Sequence, residues 1–577
     1  MGAAASAAAP GPLPAARAVR QSLHWEERLA LALLVACCAA LAFFLLGPLF
    51  MILVKSVQDK DGAFVGLAQF RDYLGTPALR QSIANTLWIA LAVTGITIPL
   101  AFTFAYALTR SAMPGKTFFR IVGLTPILAP SLLAAISFIQ WFGNQGVLKS
   151  LLGGTPVYGA LGIVISSVYA TFPHALMIVL TALLLADGRL YEAAESLGTR
   201  TLRRFFTITL PGAKYGLVSA AMVVFSYTVS DFGIPKVIGG NFNVLAVDIY
   251  KQVIGQQNFN RGAVVSLILL VPVLVAFIVD WRMQGRQQAQ FSARAVPYVA
   301  RRKPWFDGAM FAYCTVVAIL LLAVLGMAIY TSFIKLWPYD KSFSLRHYTF
   351  GLVDGGVINS FFNSLKMAQT TAIFGTMFIF GCAYLLEKTR GMPGTRALIR
   401  LLAAIPMGVP GMVLGLGYIL FFNHPGNPFN VLYHTLTILI LSTVVHYYTS
   451  SHLTAVTALK ALDAEFESVS SSLKVPFYKT FHRVTVPVCL PAILDIARYL
   501  FVNAMVTISA VVFLYSPDTQ LAAVAVLNLD EAGEIGPAAA MATLIVAASA
   551  TVCILYALVT RVLLTRTQAW RRPAADN

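Results

Sequence analysis

The sequence predicts an all-α membrane protein of about twelve transmembrane helices, arranged as two parallel six-helix halves. Composition is the first reason. Of 577 residues, 58% are hydrophobic and only 11% are charged, with a mean hydropathy of +0.75. Soluble domains carry about 25% charged residues. A chain with this balance could not cover its own surface in water, which excludes a cytosolic globular enzyme, a disordered chain and a fibrous repeat. The second reason is a series of apolar runs long enough to cross a bilayer, which takes about 20 residues. The third is an internal repeat.

Taken in order, residues 1–28 form an N-terminal tail, Ala- and Pro-rich through Pro14 and read as disordered. It is not a secretory signal, because the first apolar run, Leu29–Val54, is 26 residues and too long for a signal core. Residues 29–283 form the first half, with spans at Leu29–Val54, Thr86–Thr109, Ile121–Phe142, Gly159–Ala186, Tyr215–Ser230 and Gly262–Val279. A basic, polar linker, residues 284–304, joins it to the second half, residues 305–565. That half holds spans at Ala309–Ile334, Met367–Leu386, Leu401–Phe422, Val431–Leu459, Ala492–Phe513 and Pro537–Thr560, and residues 566–577 form a C-terminal tail.

Orientation follows from Lys and Arg. With both termini in the cytoplasm, the tails and even-numbered loops carry 29 of the 42 basic residues and the odd-numbered loops carry 12. That is a positive-inside pattern. The loop between spans eleven and twelve is purely acidic (Asp518, Asp530, Glu531, Glu534) and belongs outside. Distributed loop charge therefore accounts for the net +18, and no nucleic-acid partner is implied. The six cysteines lack CxxC spacing and read as small buried hydrophobes without disulfides.

The repeat is visible in paired segments. Ser82-Ile-Ala-Asn-Thr-Leu87 matches Ser360-Phe-Phe-Asn-Ser-Leu365, Met113-Pro-Gly115 matches Met392-Pro-Gly394, and Pro126 and Pro130 match Pro406 and Pro410. Leu210-Pro211 matches Val486-Pro487, and the offsets stay between 276 and 280. Two halves in one orientation imply a pseudo-symmetric bundle with an interface down its middle, where transporters favour substrate sites.

The loop between spans four and five is distinctive. Leu190–Leu197 is helix-forming, Gly198 can end that helix in a left-handed turn, and a second amphipathic piece, Thr201–Thr209, is expected to end before Pro211. It has the character of a knob offered to a partner. Glu192, Ala193, Ala194, Gly198, Ile208, Leu210 and Pro211 together fill the Glu-Ala-Ala, Gly, Ile-x-Leu-Pro pattern. In this the chain resembles the inner-membrane permeases of binding-protein-dependent ABC transporters, of the fused two-half type. The second half carries a worn copy: Ser468 replaces the Glu, Val469 and Ser470 the two Ala, and Lys474 the Gly, with Glu467 one place before and Val484, Val486 and Pro487 at the apolar end. The missing Gly puts the geometry of its turn in question.

Within that class the nearest resemblance is to 2-aminoethylphosphonate permeases, through Trp25–Leu29, Val57–Val65, Asp231–Val244 and Val512–Pro517, and then to ferric-iron permeases. The resemblance implies a type I ABC importer fold in a bacterial inner membrane. It implies two copies of a cytoplasmic ATPase that binds ATP and Mg, and a periplasmic solute-binding protein. No cofactor and no catalytic residue are expected in this chain. Its only Gly-Lys-Thr, Gly115–Thr117, is no phosphate loop, because the position five before the Gly is Arg110 and no strand precedes it. A secondary transporter of two six-helix halves is the rival architecture. It leaves the Glu192 loop unexplained, and ion coupling favours deep ionisable groups.

For the pathway, the 276 offset equates Tyr227 with Asn503 and Asp231 with Thr507. Each pair is spaced i, i+4, so each is expected to form a polar stripe on one helix face, with Ser226 and Ser230 extending the first. His174, His434, His446 and His452 read as packing residues, and no metal site is expected. Gly411, Gly415 and Gly417 read as a helix-packing face.

Overall fold

The computed structural model describes residues 25–290, 296, 298–353, 356–389, 391–463, 465–473 and 475–567. The disordered tail expected through Pro14, part of the linker, Lys474 and the last ten residues of the C-terminal tail lie outside these described residues.

Among the described residues, nine helices are long and apolar enough to cross a membrane, or up to eleven if each of two bent pairs counts as one span. Spans one and two are Trp25–Ser56 and Pro77–Arg110; spans four to eight are Ala160–Leu184, Thr201–Ser230, Phe259–Gly285, Pro304–Ser332 and Ile358–Lys388. Spans eleven and twelve are Phe477–Val506 and Ile535–Leu563. The tenth apolar run, expected as one span, is two shorter helices, Leu436–His446 and Tyr448–Lys460, that meet at Tyr447.

Spans three and nine are the bent pairs. Lys116–Leu128 meets Ser131–Phe142 at 102°, and Pro393–Gly408 meets Gly411–Phe422 at 114°. The matched prolines are the cause. Ala129 and Val409, each before a proline, are extended (ψ 141° and 114°), because a following proline ring disfavours helical backbone. The bent third span still travels along span seven: Phe119 packs near its start against Phe311, and Gln140 accepts a hydrogen bond near its other end from Thr331 (2.8 Å).

Spans five and eleven begin earlier than hydropathy suggests, at Thr201 and Phe477, and pass through Pro211 and Pro487 without ending. The expected stop before Pro211 is therefore corrected. A proline inside an α-helix lacks a donor and crowds the carbonyl four residues back. Here π turns at Phe205–Thr209 and Phe481–Thr485 shift the register just ahead of each proline, and the helix continues. Span eleven also stops at Val506, short of the expected Phe513.

The repeat is built into element ends. Leu184 and Lys460, the two π turns, and Ser230 and Val506 all stand 276 apart; the 3-10 turns Thr125–Leu128 and Ile405–Gly408 stand 280 apart. The shared Asn-Thr/Ser pair has a structural task. Asn85 donates to the Asn243 carbonyl (2.9 Å) while Thr86 accepts from the Leu245 amide (2.9 Å). Asn363 likewise donates to the Asp518 carbonyl (2.8 Å), and Ser364 accepts from the Ala522 amide (2.8 Å). Each pair pins the connection that follows span five or eleven.

The halves are not separate bodies. The first span of each packs on the other half: span one against spans eight and nine, and span seven against spans two and three. Phe44 stacks on Phe422 (6.1 Å), Tyr313 donates to the Leu100 carbonyl (2.9 Å), and Trp141 donates to the Ala323 carbonyl (3.1 Å). The glycines of span nine allow this closeness. A Cβ on Gly417 would lie 2.8 Å from the Pro48 carbonyl oxygen of the first half, and within the second half one on Gly415 would lie 3.1 Å from that of Ala510.

Candidate docking loops and half-interface

The knob between spans four and five starts at Asp187, whose carboxylate accepts from the Arg189 amide (3.1 Å) and caps the helix Gly188–Ser196. The helix ends in a left-handed turn. Gly198 has φ +66°, its N–H donates to the Glu195 carbonyl (2.9 Å), and Thr199 donates to the Ala194 carbonyl (2.9 Å). These are the two bonds of a Schellman cap, which needs a positive φ at the Gly position. The second loop keeps the longer of them: Val475 donates to the Ser470 carbonyl (2.9 Å), the 276-shifted counterpart of Thr199 to Ala194. The turn is thus closed in both loops, although Lys474 itself lies outside the described residues.

Glu192 and Ala193 are exposed, Ala194 is buried, and Ile208 and Leu210 are half-buried on the helix that follows, with Pro211 exposed. What sequence reasoning missed is the apolar ring around this pattern. Leu190, Leu197 (83% exposed) and Leu202 face outward, and Phe466, Leu473 (70%) and Tyr478 stand at the same offset in the second loop. Ser468 is exposed like Glu192, while Val486 and Pro487 repeat the setting of Leu210 and Pro211. Clustered exposed apolar side chains on an ordered helix mark an interaction surface.

Glu467, expected in the second docking loop, faces the inner side of that loop. It stands at the position of Tyr191, half-buried, in an ion pair with Lys388 (2.9 Å). In the first loop Tyr191 meets the buried Arg110, whose guanidinium sits 4.8 Å from its ring and donates to the Leu183 carbonyl (2.8 Å). Tyr191 in turn donates to Thr209 (2.9 Å). Each loop is therefore tied to the end of its half's second or eighth span. Arg110→Ala should cost about 2–4 kcal/mol, from a lost cation–π contact and charged hydrogen bonds in a buried place. Thermal unfolding in detergent should show a clear drop that Arg189→Ala, at an exposed ion pair, does not reproduce.

The expected polar stripes are only partly helical. Asp231 and Thr507 are the first extended residues after spans five and eleven (ψ 128° and 137°), so neither shares a helix face with Tyr227 or Asn503. Asp231 instead accepts from Ser131 (3.2 Å) and from the Ile234 amide (3.2 Å), holding the turn into Gly233–Ile238. Thr507 is buried, Ser226 and Ser230 are half-buried, and Asn503 donates to the Tyr499 carbonyl (2.8 Å).

Tyr227 behaves differently. It is 42% exposed, yet its ring lies 4.5 Å from His174, and it is within electrostatic range of Tyr447 and Tyr499 of the second half. Tyr447 and Tyr499 pack edge to face at 6.0 Å. An aromatic, hydroxyl-rich cluster thus spans the half-interface, and the 276 offset that equates Tyr227 with Asn503 also equates His174 with Ser450. The sequence names His174 as a packing residue but not its partner, which is a tyrosine on the next span. Toward the acidic end, Lys236 of the first half pairs with Glu531 of the second (2.6 Å) and lies 5.0 Å from the Tyr250 ring. Among the described residues no group of three or more His, Cys, Asp or Glu could hold a metal ion.

Comparison with known proteins agrees with this architecture. The family model for the binding-protein-dependent transport system inner membrane component matches twice, at residues 98–288 and 380–566. The chain is 28% identical over 527 residues to the ferric transport system permease protein FbpB of Actinobacillus pleuropneumoniae, covering 87% of this chain and 74% of the relative. It is 24% identical to the Fe(3+)-transport system permease protein FbpB 2 of Haemophilus influenzae, covering 80% of this chain and 86% of that one. A Salmonella typhi permease named for 2-aminoethylphosphonate transport, PhnU, is 26% identical over 41% of this chain and 86% of its own length. With two matched domains in one chain, nine to eleven apolar spans among the described residues and a repeated helix-turn-helix knob, the chain belongs to the binding-protein-dependent transport system inner membrane component family.

Proposed function

We propose that this chain is the translocation subunit of an ATP-driven importer, with two copies of a separate ATPase seated on the loops around Glu192 and Ser468. The observation that carries it is the duplicated exposed knob, one helix per half ended by a matched backbone bond and ringed by apolar side chains. Its basic surroundings support a cytoplasmic side for it and for both termini. ATP and Mg belong to the partner. A periplasmic binding protein meets the acidic, opposite end, and the solute passes between the halves.

Ferric iron is the first substrate reading, because FbpB and FbpB 2, which align along both halves, carry that name. A phosphonate such as 2-aminoethylphosphonate is the second, supported by the segments Val57–Val65 and Asp231–Val244 and by a relative that matches one half. The test has two arms. Co-expression with an ABC-type ATPase from the same source should give a complex that survives purification, and Leu197→Asp should release the ATPase; a complex indifferent to both loops removes the reading. Titrating the partner binding protein with ferric citrate and with 2-aminoethylphosphonate then separates the substrates.

The two loops should not be equal. Glu192 is a carboxylate where Ser468 is a hydroxyl, so Glu192→Ala should weaken ATPase retention several-fold more than Ser468→Ala, on the order of 1 kcal/mol for a charged contact. Equal losses at equal expression would show the shared apolar ring to be the whole of the docking energy.

A further inference from the structure

The linker does more in the structure than join the halves. Beyond the helix that ends at Gln290, its described residues, Val296 and 298–303, lie across the first knob and lead directly into span seven at Pro304. The Gly188 amide donates to the Val296 carbonyl (2.8 Å), and the Val296 amide returns a bond to Asp187 (3.3 Å), the residue that caps the knob helix. Tyr298 packs 4.8 Å from the Tyr191 ring, and the Arg110 guanidinium lies 4.8 Å from each of the two rings. Arg301 pairs with Glu195 (3.0 Å). At the strap's end, Asp307 accepts from the amides of Lys303 (2.9 Å) and of Ala112, at the end of span two (2.8 Å).

Hydrogen bonds, a shared cation and an ion pair thus follow one another from Val296 to Asp307. A connection that only had to span a distance would need none of them. The second loop is tied differently, by Lys388 and Glu467 within its own half. Span seven, into which the strap runs, belongs to the second half by sequence and packs on spans two and three of the first.

We propose that the linker strap is a positioning element that transmits movement of the first docking loop into span seven, and that Tyr298 and Arg301 are its grips. This rests on the docking role proposed above. The knob helix cannot tilt without pulling Val296, Tyr298 and Arg301, and these are at most eight residues from the start of span seven. Coupling through such a contact chain is worth about 0.5–2 kcal/mol when one link is removed.

The experiment uses the full complex with its ATPase in liposomes and a single cysteine at position 227 in an otherwise cysteine-free chain. The readout is the ATP-driven change in that cysteine's rate of reaction with a water-soluble thiol reagent. Tyr298→Ala and Arg301→Glu should leave the ATPase bound and reduce the change about five-fold or more. Tyr298→Phe, which keeps the ring, should behave as wild type. A protease site placed within residues 291–295 and cut in the assembled complex should also leave the change intact, because the grips and not the covalent tie carry it. An undiminished change in both grip variants overturns the proposal. So does loss of the ATPase from both, which would make the strap a part of the docking surface, and so does uncoupling by the cut alone. If the parent protein binds no ATPase, the docking reading itself is what fails; if it binds the ATPase but position 227 shows no ATP-driven change, the pathway reading of Tyr227 is what fails.

Discussion

Gly198→Asp is expected to abolish ATP-driven import while the protein remains in the membrane at normal level. Gly198 holds φ +66°, and a Cβ built there meets nothing within 4 Å. The cost of a side chain is therefore conformational, roughly 1–2 kcal/mol for a residue forced into the left-handed region, and Asp is among the residues that visit it most readily. That is too little to melt a helix capped at Asp187 and anchored through Tyr191 to Arg110. The damage should come from a carboxylate planted beside Leu197 on the exposed ring, where an apolar partner surface would have to desolvate it. Retention of the ATPase should fall about ten-fold or more, equivalent to at least about 1.4 kcal/mol. Gly198→Asn separates the two effects: it tolerates the same backbone without charge and should retain most of the ATPase. Full retention by the Asp variant would remove the first loop from the docking surface, whatever its shape.

The sequence shows the duplicated half, the knob and most of the membrane spans, because each is written locally, in hydropathy, in a Gly at a turn, or in a segment copied 276 to 280 residues on. The features it conceals are those set by distant contacts or by backbone register. Nothing in Leu29–Val54 says that this span packs on the second half; that follows from Phe43 and Phe44 meeting Phe421 and Phe422. Pro211 reads as a helix stop, since a π turn ahead of it has no side-chain signature. Pro130 and Pro410 were visible as a matched pair, but hydropathy is blind to a bend and counted each broken helix as one straight span. Glu467 looked like a displaced signature residue, whereas alignment with Tyr191 and the presence of Lys388 near the 278-shifted position of Arg110 explain it as an anchor. The strap could not be read at all, because a polar linker and a linker folded onto a knob share one composition.

Cysteine at position 227 or 503 should react with a charged, membrane-impermeant thiol reagent, at rates that change when ATP is added to the assembled complex. Exposure in a membrane protein means lipid or water, and burial alone cannot tell them apart. The neighbours of Tyr227 can. It touches His174 of its own half and lies within range of Tyr447 and Tyr499 of the other, so its exposed part faces the space between halves. Polar aromatic groups are costly against hydrocarbon and favour an aqueous or protein face. Two controls make the distinction. Val224, on the same helix, is fully buried and as cysteine should stay unreactive, whereas Leu91 is 65% exposed on a lipid-type apolar helix and should resist a charged reagent despite that exposure. The contrast between position 227 and either control should be about ten-fold or more, since the thiolate is the reacting species and forms only where water reaches. Asp231→Cys is not expected to join them, because Asp231 holds the turn into Gly233–Ile238 through the Ile234 amide and its loss should lower stability first. Ordinary interhelical hydrogen bonding would account for the same polar residues, and it predicts silence at both 227 and 503 in resting and ATP-driven states. Reaction at 227 alone would place the route along span five and leave position 503 to packing.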